Sequence, residues 1–379
     1  MARLFRSFSR GSVRRWIYLA LFILGVVCYV YVEIERLDMG NDTPAQVRRP
    51  AHRKKRVPRN ETDANGQPLP KRSWWGGPVE PKEANPLDIT IVTMYLRLGS
   101  VKRADGTTTE EKDYLEWMRT WAWLTNTVVA YFDDDEMLAA FKNIRKSQPA
   151  DKTILIRVNR TDLSSFDDLE DVRKLFADPE YPKFEPQTVN PEWSCAVNAK
   201  YDILQMVLDQ GHIKTDTLAW LDIGLFKPLL KETVHKKNTP FSLELPDKFN
   251  ASKIGLSEVG PGDKISKLRP WEIIQKDLVW TAGGFVLGTK EKMQEFITSY
   301  KAAQDELLEH DMISSDMHTI SAIYTPQMVK RGPPEAKAYI CRDGWFGIRG
   351  TVTKYGCLAF LCKEAAETRA KARLKSQGL

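Results

Sequence analysis

The stretch Thr217-Leu-Ala-Trp-Leu-Asp222-Ile-Gly224 is an apolar run of strand length that ends on one carboxylate. A buried strand of this kind delivers Asp222 to its carboxyl end, the edge of an open α/β sheet where ligands bind. Asp before Gly is also ordinary turn chemistry, so the segment alone leaves capping and function open. Lys200 lies among Ala196, Ile203 and Val207 at spacings of three and four, inside the apolar stripe of its helix. A lysine there either snorkels to the rim or holds an anion such as a diphosphate. Ala282-Gly283-Gly284 enters a further strand-like run, where paired glycines let backbone approach a ligand or a neighbouring strand closely, a bulge without ligand being the alternative. Asp316 follows two serines at a helix start, where a carboxylate is favourable in any case, and it becomes a candidate base if it faces Asp222. His318, two residues on, would point elsewhere. The run Asp133-Asp134-Asp135 has the chemistry to hold a divalent cation. Between a strand and a helix it also caps, with Asp133 and Glu136 as the pair.

These residues need elements to position them. Strands are expected at 88–94, 127–132, 153–158, 217–222, 240–245 and 281–288. Helices are expected from the capping pair Thr108 and Glu111 to about Leu124, from Glu136 through Phe141, and over Trp193 to Gln210. Further helices are expected over Lys290 to Glu309 and Ser314 to Val329, with a polar helix beyond Lys363 and a Gly/Pro/Lys-rich loop up to Pro270. Strands alternating with helices in this way argue for parallel pairing with helices on both faces of the sheet.

The net charge of +6 is not spread over the chain. Residues 1–86 carry 16 Lys and Arg against 8 Asp and Glu, which leaves 40 against 42 for residues 87–379. Nucleic-acid binding requires a clustered basic face on the domain, which this count does not support. Residues 16–32 form an uncharged apolar run with five arginines before it and Glu33, Glu35 and Asp38 after it. The expected organisation is a cytosolic tail (1–15), a transmembrane anchor (16–32), a stem (33–86) and a luminal domain (87–379). This is a single-pass type II protein of the secretory pathway, placed in the Golgi. A cleaved signal peptide is the competing reading, but no small-residue cleavage site follows the run. The stem carries Arg53-Lys54-Lys55-Arg56, either a convertase site or a solvated spacer. Sequons stand at Asn41, Asn60, Asn159 and Asn250. Cys195, Cys341, Cys357 and Cys362 allow one or two disulfides, and their pairing stays open. Glycine-rich nucleotide loops, a nucleophile elbow, His-Glu-x-x-His and a Cys-x-x-Cys pair are all missing, which removes the common triphosphatase, hydrolase and zinc-protease readings.

Several stretches taken in order resemble the HtrL/YibB family, whose domain looks like a GT-A type glycosyltransferase. They are Thr90–Thr93 with Gly99, Tyr114–Trp117, Asn190-Pro191 leading to Asn198-Ala-Lys200, Trp220–Gly224, Ala282–Phe285, and Asp316. The resemblance implies a GT-A-like mixed, mainly parallel sheet flanked by helices. It further implies a nucleotide-sugar pocket with Asp222 at the metal and diphosphate, Mn2+ being the expected cation, and a glycan or glycoprotein acceptor. Lys200, Asn198, Asp222, Ala282, Gly283 and Gly284 would form the binding site, the Ala282-Gly283-Gly284 backbone bordering its acceptor side, with Asp316 and Asp222 catalytic. The sequence departs from the usual Asp-x-Asp, since Asp222-Ile-Gly224 offers one local carboxylate. A glycan- or nucleotide-sugar-binding protein of the same fold without turnover is the alternative.

Overall fold

A computed structural model describes residues 85–231, 234–236, 239–348 and 351–377. The anchor, the stem up to residue 84 and the sequons at Asn41 and Asn60 lie outside them. Among the described residues no helix is long and apolar enough to cross a membrane.

The sheet has seven strands: β1 (Ile89–Tyr95), β2 (Val128–Phe132), β3 (Thr153–Arg157), β4 (Thr217–Leu221), β5 (Ile254–Glu258), β6 (Thr281–Thr289) and β7 (Ala336–Tyr339). Their order is β3-β2-β1-β4-β6-β5-β7. The pairings β1–β2, β1–β4, β2–β3 and β5–β7 are parallel, and only the two made by β6 are antiparallel. The mixed, mainly parallel sheet is thus as the sequence led one to expect. The inner strands are near-continuous apolar runs because helices cover both faces. Val92, Val129 and Trp220 point into one apolar layer with Tyr201, Leu204, Phe296 and Tyr300. Their neighbours Ile91, Val128 and Leu221 point into the other, with Met137, Phe141, Phe285 and Phe360.

Several elements differ from expectation, each for a local reason. Thr108 and Thr109 form a short antiparallel ribbon with Val101 and Lys102, so they do not cap a helix. The capping pair lies two residues later, at Glu110 and Asp113, whose Oδ2 accepts from the Glu110 amide at 2.7 Å, and it opens α1 (Glu111–Met118). In the acidic run it is Asp134 that caps α2 (Asp135–Ile144), accepting from Met137 N at 2.8 Å. Asp133, Asp134 and Asp135 each also pair with an arginine, namely Arg160, Arg97 and Arg157. Residues 240–245 are not a strand: the amide and carbonyl of Leu243 are both taken by the side chain of Asn126. The expected helix over 193–210 is two helices meeting at Ala199, α3 (Pro191–Asn198) and α4 (Lys200–Asp209). Asn190 caps the first through Trp193 N at 2.9 Å, with Pro191 at its first position. The helix over 314–329 is interrupted at Pro326, leaving α5 (Asp316–Ile323) and a single turn. The C-terminal helix begins earlier than expected, at Cys357, and buries Leu358, Phe360 and Cys362. Cys341 and Cys357 form a disulfide, while Cys195 and Cys362 are buried free thiols.

Candidate functional site

The carboxyl ends of β1 and β4 open on a cleft of about 790 Å³, a volume within the range of ligand pockets. At its floor the chain brings together three of the residues singled out above. The Lys200 Nζ lies 2.8 Å from Asp222 Oδ1 and 2.8 Å from Asp316 Oδ2. It also points at the Gly283 carbonyl oxygen, 3.4 Å away. Each partner arrives by a different route. Asp222 follows the last residue of β4, Lys200 is the first residue of α4, Asp316 is the first residue of α5, and Gly283 is near the start of β6.

Neighbours fix the geometry. The Trp220 indole N–H donates to Asp222 Oδ1 at 2.7 Å, and the Asp222 amide donates to the Gly284 carbonyl at 2.8 Å. Glycine is required at 283, because a Cβ there would stand 1.9 Å from Asp316 Oδ2. Gly224 allows a similar approach, since a Cβ would meet the Trp117 ring at 2.6 Å. Lys200 and Asp316 are 5% and 3% exposed, whereas the Asp222 side chain is 40% exposed and faces the cleft. Burial, the largest influence on Lys200, disfavours its charge, but the two carboxylates outweigh it and hold the ammonium above the ordinary lysine range. Burial raises the Asp316 carboxyl above the usual carboxylate range, with Asp222 adding to it and Lys200 opposing it.

The expected site residues therefore fall into two groups. Lys200 and Asp222 line the cleft. Asp316, Ala282 and Gly283 are buried behind them, and Gly284 receives the Asp222 amide. Asn198 is fully buried with its polar atoms engaged inside the protein. Its amide donates to the carbonyls of Ser194 and Ser314, both at 2.8 Å, and its oxygen accepts from Tyr300 and Thr319. It braces α3 against the segment that leads into Asp316. His318 is likewise turned away, bound between Ser314, Ser315 and Asp277.

Other lining residues carried no periodic signal in the sequence. The ribbon at 101–109 brings Arg103, whose Nε donates to Thr109 Oγ1 at 2.8 Å and whose Nη2 reaches the Tyr114 hydroxyl at 3.4 Å. Tyr114 packs edge-on against Trp117, with centroids 5.0 Å apart, and Lys227 Nζ lies 4.5 Å above the Trp117 ring. Among the described residues neither Arg103 nor Lys227 forms an ion pair. Burial, and then the nearby Arg103, hold Lys227 below the ordinary lysine range. Tyr114 and Trp117 belong to a stretch that carried the family resemblance; Arg103 sits in the turn of the ribbon and Lys227 opens a short 3-10 helix (Lys227–Leu230), where only three-dimensional placement gives them meaning.

A divalent cation at Asp222 would need further oxygen ligands. Among the described residues no group of three His, Cys, Asp or Glu side chains gathers around a common point, and the space between Asp222 and Asp316 is taken by the Lys200 ammonium. The donor set as it stands does not fit such an ion.

Fold and site together define an α/β domain with a ligand-sized cleft at the carboxyl edge of a mainly parallel sheet and a lysine–carboxylate triad at its floor. The chain belongs to the HtrL_YibB family, described as "Bacterial protein of unknown function (HtrL_YibB)", whose sequence model matches residues 87–346. It is 24% identical over 281 residues to Protein HtrL of Escherichia coli (strain K12), covering 68% of this chain and 90% of that protein. Among solved structures it is similar to the crystal structure of mouse Xyloside xylosyltransferase 1 in its apo form. That match has 11% identity and a TM-score of 0.35, and covers 68% of this chain and 86% of the mouse chain.

Proposed function

We propose that the protein is a glycosyltransferase that takes a sugar from a nucleotide-diphosphate donor and passes it to a glycan or glycoprotein hydroxyl. The observation that carries this reading is the cleft itself. It combines aromatic walls (Tyr95, Tyr114, Trp117, Trp193), the triad carboxylate Asp222, and two cations, Arg103 and Lys227, that form no ion pair among the described residues, with Asp105, Asp113 and Glu185 also on the lining. Rings and cations whose N–H groups are not tied to a carboxylate suit a ligand that is part ring and part phosphate. The stretches that resemble the family also converge on the triad.

In the transfer, the acceptor oxygen forms a bond to the anomeric carbon as the bond to the phosphate oxygen breaks. The hydroxyl proton passes to Asp222, and the electron pair leaves with the nucleoside diphosphate. Asp222 is given the role of base because it is the triad carboxylate that opens on the cleft. Asp316, shut behind Gly283, holds Lys200 in place. Arg103 and Lys227 offset the charge of the diphosphate. A binding protein without turnover is the second reading, favoured by the burial of Asp316, which leaves Asp222 as the one triad carboxylate that faces the cleft.

Calorimetry with a panel of nucleotide sugars, followed by product analysis, tests the proposal. Binding of a nucleoside diphosphate should weaken at least tenfold in Arg103→Ala/Lys227→Ala, while the uncharged nucleoside is unaffected. Transfer should be lost in Asp222→Asn. Donor binding without transfer or hydrolysis favours the second reading, and no nucleotide binding at all refutes both.

The localisation proposal is the secretory-pathway lumen, with residues 16–32 as the anchor. The disulfide, together with exposed sequons at Asn159 and Asn250, supports an oxidising, glycosylating compartment. An N-glycosidase that leaves the mobility of the protein from its own cells unchanged would count against it.

A further inference from the structure

We infer that the Lys200 ammonium is the resident cation of this site, standing between Asp222 and Asp316 where a divalent metal would bind and keeping one out. The inference concerns charge at the triad alone, so it holds or fails whether or not the cleft transfers a sugar.

The oxygen set is the starting point. Two carboxylates and one backbone carbonyl, at 2.8, 2.8 and 3.4 Å, give three acceptors to the three N–H groups of the ammonium. Carboxylate and carbonyl oxygens are also the ligands that hard divalent cations take. Such an ion, about 2.1 Å from the same oxygens, would lie in contact with the ammonium. Like charges at that separation in a buried site exclude one another.

The site cannot widen to admit both. Asp222 is held by Trp220 at 2.7 Å and through its amide by Gly284 at 2.8 Å. Asp316 rests on Gly283, where not even a Cβ would fit. Nor can the ammonium readily swing away. Lys200 is 5% exposed, the first residue of α4, and its Nζ lies 5.9 Å over the Trp220 ring. The lone carboxylate of Asp222-Ile-Gly224 acquires a reason: with a built-in single positive charge, a second local carboxylate would leave the floor of the cleft over-negative.

A consequence follows for the variant without the ammonium. Lys200→Ala leaves two fixed carboxylates facing a vacated space, a cation site lacking its cation. Titration of the purified full-length protein with Mn2+, read from the paramagnetic resonance signal of the free ion, tests this. Wild type and Lys200→Arg should leave Mn2+ free. Lys200→Ala should bind one equivalent at least tenfold more tightly than wild type, and Lys200→Ala/Asp222→Asn should lose it again.

One equivalent of Mn2+ bound by the wild type and released in Asp222→Asn overturns the inference. So does a folded Lys200→Ala, judged by near-ultraviolet circular dichroism, that binds no more tightly than wild type. Should Lys200→Ala not fold, the wild-type titration decides: absence of a site dependent on Asp222 upholds the inference, and its presence overturns it. Because the readout is metal binding, failure here is distinct from failure to find a donor or a product.

Discussion

Replacing Lys200 by methionine keeps most of the side-chain volume and removes the charge, leaving Asp222 and Asp316 without the ammonium that joins them. Breaking a buried ion pair by removing one partner costs about 3–5 kcal/mol. The lost partner here is shared, 2.8 Å from each carboxylate, and Asp316 is almost wholly buried. The full cost should therefore appear near pH 8, where both carboxyls would have to be ionised. The sign of the pH dependence follows from Asp316. Its carboxyl is raised above the usual range by burial and by Asp222 even with Lys200 opposing, and the substitution removes the opposition. A carboxyl raised in the folded state contributes stability that is present below its unfolded value and is lost as pH rises through its folded value. The deficit of Lys200→Met should accordingly shrink on acidification towards pH 5, with a slope approaching about 1.4 kcal/mol per pH unit for one proton. Urea unfolding of wild type and variant across pH 5–8, followed by tryptophan fluorescence, measures this. Lys200 is held above its ordinary range in the wild type, so its own titration stays outside that window. A deficit that does not vary with pH, or one below about 1 kcal/mol at pH 8, refutes the reasoning.

Two further perturbations probe the support of the site. Gly283→Ala should destabilise by about 1–3 kcal/mol or more, because its Cβ falls 1.9 Å from Asp316 Oδ2, whereas at Gly284 the nearest atoms are 3.1 and 3.3 Å away. Thermal unfolding should rank Gly283→Ala well below Gly284→Ala, and the reverse order counts against the described packing. Breaking the Cys341–Cys357 link, which spans 16 residues, should cost about 3 kcal/mol. A reductant should lower the melting temperature of the wild type and leave Cys341→Ala/Cys357→Ala unmoved; equal sensitivity in both would show that the link does not form.

What could be read from the sequence was whatever has a short repeat. The strand that leads into Asp222 and the one that carries Gly283 are apolar runs, and both were legible, as was the lysine inside an apolar helical stripe. β7 escaped because it has only four residues; β5 is as long as β2, β3 and β4, but Gly255, Ser257 and Glu258 break its apolar run. The 240–245 segment reads as a strand locally, and only the distant side chain of Asn126 shows otherwise. The meeting of Asp316 with Asp222 was conditional in the sequence, since nothing local fixes the direction in which α5 points. Arg103 and Lys227 were invisible for the same reason: their significance comes from distant neighbours, and Trp117, the ring beneath Lys227, lies 110 residues away from it in the chain.

The reversed direction of β6 bears on the order in which the chain becomes competent. Because this strand alone runs against its neighbours, its beginning, with Gly283, reaches the edge where β4 ends; run the other way, Gly283 would lie some six residues, roughly 20 Å, from Asp222. Lys200 and Asp222 are separated by only 22 positions, while Lys200 and Asp316 are separated by 116. The nearer pair closes a small loop and is entropically easy to form; the second carboxylate and the glycine carbonyl are available only after the later half of the domain has been synthesised. During synthesis the ammonium thus acquires its first partner early and its last partners late. A completed triad therefore reports that β6 has joined β4 and that α5 is in place, and a chain truncated before β6 would present Asp222 and Lys200 without the enclosure that makes them a site.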